Sequence, residues 1–186
     1  RPAEEDGRIP MGYRGNWVAE ERAATRAVRM LVSKLRGKTT VTEVPLPKEA
    51  EVVPPAPAVI DLSSATIALV TEGGLVPTDN PDRIESSSAT RWARYPVAML
   101  VENDGAGFSS IHAGYDSRWV DADPDRIVPL DALRALAEEG VIGAVHPYFY
   151  VTTGTGTTVT NGERIGQEIA ERLISDGVHA VIVTST

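Results

Sequence analysis

Cysteine is absent from the 186 residues of this sequence. That excludes a disulfide framework, a thiolate metal site and a thiol nucleophile among these residues, and it fits a reducing, cytoplasmic setting. Long apolar runs are also missing. Nothing approaches the roughly 20 residues a membrane-spanning helix needs. Basic charge is in short supply: 18 Lys and Arg stand against 26 Asp and Glu, a net charge of −8, which argues against a nucleic-acid partner or an anionic membrane surface. The three histidines, His112, His146 and His179, are scattered without metal-ligand spacing. No P-loop occurs, and the nucleophile-elbow pattern G-x-S-x-G does not surround Ser185.

What remains is the balance of an ordinary globular protein, 42% hydrophobic and 24% charged. The length suits one domain with a sizeable core, or a domain plus an arm. Ala24, Val28, Leu31, Val32 and Leu35 recur at helical spacing, predicting a helix from about Trp17 to Arg36 with Asn16 as cap and Gly37 as terminator. Thr39–Val44 alternates and is β-branched, so a short strand is expected. Pro45–Pro57 holds five of the 13 prolines and reads as an extended linker. Residues 1–58 are therefore expected to be a helix–strand arm and Pro-rich linker, the end of an N-terminal domain, and residues 59–186 an α/β domain.

Within that domain Thr66–Thr71, Val97–Glu102, Gly143–Val151 and Ala180–Thr184 have the length and apolar character of strands. Pro129 is placed to open a helix at its first position, with Leu130, Leu133, Leu136 and Ala137 inward and Gly140 at its end. After a loop at Thr152–Gly162, Glu163–Asp176 forms a second helix, with Ile165, Ile169 and Leu173 on one face and Gly177 closing it. Apolar strands separated by helices imply a mainly parallel, doubly wound sheet of flavodoxin or Rossmann type, covered on both faces.

Open parallel sheets bind ligands at the carboxyl ends of their strands. That rule selects Glu72-Gly73-Gly74, the loop Gly154-Thr155-Gly156-Thr157, and Ser185-Thr186 as candidate substrate-binding segments, all on one edge. The glycines can present backbone N–H groups to an anion or carboxylate; equally, they can serve only to let the chain turn. The dinucleotide fingerprint is incomplete, because Val159 stands where its third glycine belongs. His112, with Asp116 nearby in sequence, and Glu85, in the polar stretch Thr78–Ser88, are candidates for proton transfer. A structural histidine and a solvated loop are the alternatives. His146 reads as packing among Tyr148, Phe149 and Tyr150, and His179 as a surface residue at a strand start.

Several stretches resemble the selenoprotein B subunit of the glycine, sarcosine and betaine reductases. They are RIPMGYRGNWVAEERA at Arg8–Ala23, RMLVSKLRG at Arg29–Gly37, and IALVTEGGLVPTDNPDRIESSSATRWARY at Ile67–Tyr95. IHAGYD at Ile111–Asp116, HPYFYVTTGTGTTV at His146–Val159 and AVIVTST at Ala180–Thr186 extend the match across the chain. The resemblance implies an oxidoreductase subunit that cleaves a C–N bond reductively, with a dithiol/disulfide couple as electron source. It implies that selenocysteine, or cysteine in its place, follows Thr186, so that the end of the sequence there and the start at Arg1 are expected to be truncations. It implies a pyruvoyl group on a partner component B subunit, transfer to the small selenoprotein A, and a small amino acid or N-methylated amine as substrate. No cofactor is expected in this chain itself, and without its nucleophile the 186-residue chain is expected to be inactive. Apart from the resemblance, the residues also allow a non-catalytic α/β binding module or a structural subunit of a larger complex.

Overall fold

The computed structural model describes residues 20–38, 54, 56–102 and 107–186. Asn16, the expected strand Thr39–Val44 and most of the Pro-rich segment lie outside the described residues. The chain divides into two units, Arg1–Ala56 and Pro57–Thr186. In the first, helix α1 spans Ala23–Leu35. Its described start is later than the sequence suggests. Arg22 is extended and offers no side-chain cap, while Glu21 turns back to receive Arg26 and Arg29.

The second unit is built on six strands: β1 (Thr66–Thr71), β2 (Leu75–Pro77), β3 (Ala93–Pro96), β4 (Phe108–Ser110), β5 (Ala144–Val151) and β6 (Ala180–Thr184). Its helices are α2 (Val97–Glu102), α3 (Arg118–Ala122), α4 (Leu130–Glu138) and α5 (Val159–Ser175). The main sheet has the order β3-β5-β1-β6. β1 runs parallel to both β5 and β6, and β3 joins β5 antiparallel. A separate antiparallel ribbon pairs β2 with β4. The architecture is thus the mainly parallel α/β arrangement that the apolar strands imply.

Side-chain alternation along β1 and β5 feeds two cores. Ile67, Leu69, Phe149 and Val151 meet Leu130 and Leu133 of α4, Leu100 of α2 and the β2–β4 ribbon. Tyr95, Phe108 and Phe149 tie that ribbon to the sheet, with ring centroids 5.8–6.0 Å apart in tilted and edge-on contacts. On the opposite face Ala68 and Tyr150 pack against Ile165, Ile169 and Leu173 of α5, the three positions expected from helical spacing. Among the described residues no helix is long and apolar enough to cross a membrane.

Four local expectations need correction. Val97–Glu102 is a helix, not a strand; the strand is the preceding Ala93–Pro96, whose Arg94 and Tyr95 alternate between half-buried and buried. A six-residue apolar run fits either state, and pairing with β5 decides which segment enters the sheet. Pro129 is the residue before α4 and not its first, and Leu136 is partly exposed. Helix α5 begins at Val159, earlier than expected, because the Thr158 hydroxyl accepts the Asn161 N–H and caps it. Finally, among the described residues β6 is the last strand of the sheet, with Val181, Ile182 and Val183 exposed instead of enclosed.

His146 and His179 brace the opposite end of the sheet. The His179 Nδ1 accepts the Thr66 N–H at 3.0 Å. The buried His146 stacks on Tyr150 at 5.9 Å and lies near Tyr148, as the aromatic run suggests. Burial pushes its imidazole below the ordinary value of 6.5, helped by Arg94 and Arg172 and opposed by Asp176. The folded protein therefore holds His146 neutral, and the unfolded chain binds more protons as pH falls. Its contribution is complete above the ordinary histidine value and is lost as pH falls through the lower, folded-state value. In the full-length protein, His146→Gln should flatten the acid side of the stability profile measured by denaturant titration between about pH 5 and 8. In the same assay at neutral pH, Phe149→Ala, which empties a fully buried site, should cost about 3–5 kcal/mol.

Candidate active site

The register of the sheet brings three strand ends together. Thr71 pairs with Val151 on one side and with Thr184 on the other. Beyond the strands, the Glu72 N–H donates to the Thr184 carbonyl at 3.2 Å, and the Gly154 N–H to the Glu72 carbonyl at 3.1 Å. Gly74, at φ 69°, takes a left-handed turn and donates its N–H to the Thr152 carbonyl at 3.0 Å. The three segments selected by the strand-end rule therefore form one surface.

At its centre lies the Glu72 carboxylate. Its Oε1 accepts the Ser185 hydroxyl at 2.9 Å, the Thr186 N–H at 2.6 Å and the Thr186 hydroxyl at 3.2 Å. Its Oε2 lies 3.4 Å from Nε2 of His112. Burial pushes this carboxyl up, but the Thr186 N–H and the Ser185 and Thr186 hydroxyls outweigh it and hold it below the ordinary 4.5. Glu72 is thus a carboxylate at neutral pH.

His112 is buried, with its side chain 2% exposed. Its Nδ1 accepts the Gly114 N–H at 3.1 Å, and its Nε2 faces the Glu72 carboxylate. The Thr155 N–H also donates to Nε2, at 3.3 Å; a neutral ring accepts at only one of its two nitrogens. Asp116, the neighbour suggested by sequence, instead binds Arg118 through both carboxylate oxygens and is exposed. Glu85 is held by the Thr90 N–H at 3.2 Å and the Thr90 hydroxyl at 2.5 Å, with Arg91 at 4.0 Å. Its carboxylate faces its own loop, whereas its carbonyl receives the Thr153 hydroxyl at 2.6 Å.

Glycine spacing makes room for this cluster. A Cβ on Gly154 would overlap the Glu72 carboxylate, one on Gly73 would overlap Ile127, and one on Gly114 would overlap Thr155 and His112. The Gly154–Thr157 loop is fixed from outside: the Ser88 N–H donates to the Thr155 carbonyl at 2.7 Å, and the Ala89 N–H to the Thr157 hydroxyl at 2.8 Å. Two supports went unnoticed in the sequence. Ser110 and Tyr115 both donate to the Gly73 carbonyl, at 2.8 and 3.1 Å. Burial pushes the Tyr115 phenol up, keeping it a donor. The only sequence signal for Tyr115 is its place in IHAGYD.

The family model described as glycine/sarcosine/betaine reductase selenoprotein B matches residues 1–186. The chain belongs to this family. It is 52% identical over 187 aligned positions to the betaine reductase complex component B subunit beta of Peptoclostridium acidaminophilum, covering all of this chain and 43% of that protein. It is 50% identical to the sarcosine reductase complex component B subunit beta of the same organism, again over the whole chain and 42% of the relative. It is also 50% identical over 183 residues to the glycine reductase complex component B subunit gamma of Carboxydothermus hydrogenoformans, covering 98% of this chain and 42% of that one. The chain thus spans less than half the length of these relatives. No solved structure matches it.

As a member of this selenoprotein B family, the protein carries glycines whose positions can be separated by substitution. Gly154→Ala in the full-length protein should displace Glu72 and lower stability by about 1–3 kcal/mol. Gly162→Ala, inside α5 with nothing within 4 Å, should instead be neutral or stabilise by up to about 1 kcal/mol. Chemical denaturation of the two variants side by side checks the contrast.

Proposed function

We propose that this chain forms part of the substrate-specific component B subunit of a glycine-, sarcosine- or betaine-type reductase. In that reading the complex cleaves the C–N bond of a small amino acid or N-methylated amine, and the attacking group is a selenocysteine, or a cysteine in its place, directly after Thr186 in the full-length protein. A selenolate or thiolate is the nucleophilic form of that group, and selenium reaches it at lower pH. The attacking group forms a bond to the carbon as the C–N bond breaks and the amine leaves with a proton; release of the reduced carbon group leaves the selenium or sulfur oxidised by two electrons, which a dithiol returns as it becomes a disulfide.

One observation carries the reading: Glu72 gathers Ser185 and Thr186 beside His112 and the Gly154–Thr157 loop. A side chain placed after Thr186 would start at the junction of β1, β5 and β6, where open sheets bind their ligands. Membership of the selenoprotein B family supports an oxidoreductase role. Gly73, Gly74, Gly154, Thr155, Gly156 and Thr157 are the proposed lining for the substrate, while the Ser185 and Thr186 hydroxyls are turned to Glu72. His112 and Glu85 remain the proposed proton-transfer candidates. His112 stands closer to the strand ends through its contact with Glu72, whereas the Glu85 carboxylate is engaged by Thr90. The proposed partners are a pyruvoyl-bearing component B subunit, which would activate the amino group, and selenoprotein A as acceptor, in the cytoplasm.

The test begins with the gene: the codon after that of Thr186 should be UGA read in frame, or a cysteine codon. Replacing the encoded residue with alanine in the full-length subunit, assembled with its partners, should lower substrate-dependent amine release by on the order of 10⁴-fold. Undiminished release would sink the reading.

A further inference from the structure

We propose that Glu72 is a positioning residue, whose carboxylate fixes the Ser185–Thr186 segment and through it the aim of the side chain that follows. The proposal rests on the reading of function above and assigns Glu72 a different task from binding substrate. It starts from how β6 is held. Strand pairing with β1 and the bond from the Thr184 hydroxyl to the Ile127 carbonyl, at 2.5 Å, fix the chain as far as Thr184. Ser185 and Thr186 are exposed. The hydrogen bonds that the Ser185 hydroxyl, the Thr186 N–H and the Thr186 hydroxyl make all end on one oxygen of Glu72.

The acceptor count of the carboxylate points the same way. An ionised carboxylate offers about four lone-pair sites. Three donors converge on Oε1, and Oε2 lies 3.4 Å from Nε2 of His112. Oε1 is thereby filled by the chain itself, and the negative charge would repel a substrate carboxylate. Three donors on one oxygen also require the charged form, which is the form favoured here.

His112 completes the clamp from behind. Its ring is buried, with Nδ1 accepting the Gly114 N–H and Nε2 lying 3.4 Å from Oε2 of Glu72, so it backs the second carboxylate oxygen while the first holds the chain. The clearance left by Gly154 lets the carboxylate reach both. A glutamine at position 72 would keep one acceptor oxygen but lose the charge that strengthens the three bonds converging on it. Glu72→Gln is therefore a near-isosteric disruption of the clamp.

The experiment uses the full-length subunit in the assembled complex, with the thermal unfolding midpoint of each variant recorded. A misplacement of about 1 Å at a reacting group can cost on the order of 10²-fold in rate. Glu72→Gln should lower kcat by that order and leave KM for the amine substrate unchanged. The alkylation rate of the residue after Thr186 by iodoacetamide should also be unchanged, because reactivity is kept and only aim is lost. Ser185→Ala, a change at an exposed position that removes one of three donors, should lower kcat less, again without a rise in KM. A folded Glu72→Gln enzyme with unchanged kcat, or one whose loss is confined to a higher KM, overturns the proposal. If Glu72→Gln does not fold, Ser185→Ala decides, and unchanged kcat there overturns it. Activity that survives alanine at the residue after Thr186 would instead overturn the underlying reading of function.

Discussion

The backbone of β1 is used on both sides and past its end. β5 and β6 pair with it in parallel, and the pairing continues beyond Thr71 through bonds that join Glu72 to Thr184 and to Gly154. Parallel strands supply evenly spaced, slanted bonds, so a shift of either neighbour would misplace its whole carboxyl end. Because Thr71 faces Val151 and Thr184 at once, three loops far apart in sequence emerge at one level. The two cores hold that register in place, since Ile67 and Leu69 point into one and Ala68 into the other. A slip of one residue would exchange the faces and bring the α5-facing set against α4.

Where strands converge this closely, side chains compete with backbone for space. Gly73, Gly114 and Gly154 each sit where a Cβ would overlap a neighbour that the cluster needs. The space left by Gly154 and Gly114 is filled by a carboxylate, a threonine hydroxyl and an imidazole, and that left by Gly73 by the Ile127 side chain. Among the described residues, no buried side-chain nitrogen or oxygen lacks a hydrogen-bond partner. A polar cluster satisfied to that degree is rigid, which suits a surface that must hold a reacting group in one orientation.

Much of this was legible in advance because apolar periodicity survives in the sequence. TIALVT and AVIVT announce β1 and β6, and Ile165, Ile169 and Leu173 announce the inner face of α5. The shorter pieces carry no such signal. β2 and β4 have three residues each, and β3 ends in a proline, so tertiary pairing alone identifies them. VAMLVE suits a strand as well as the helix it forms, because a short apolar run has no period to distinguish the two. The strand-end rule located all three loops of the candidate site. It could not supply the partner of His112: Asp116 is close in sequence but turns to Arg118, while Glu72, at the end of a distant strand, takes its place. Contacts of that kind depend on register, which no single segment encodes.

The exposed residues of β6 also affect how the protein behaves in solution. Ala180–Thr184 has no charge, no proline and high β-propensity, and it lies at the end of the strand order with Val183 65% exposed. Such an edge is a template for another strand, and natural proteins usually blunt it with lysine, proline or a bulge. Here none of those gatekeepers is present. Any preparation that leaves this strand uncovered will be adhesive, and its colloidal stability will depend more on what caps β6 than on the strength of the core behind it.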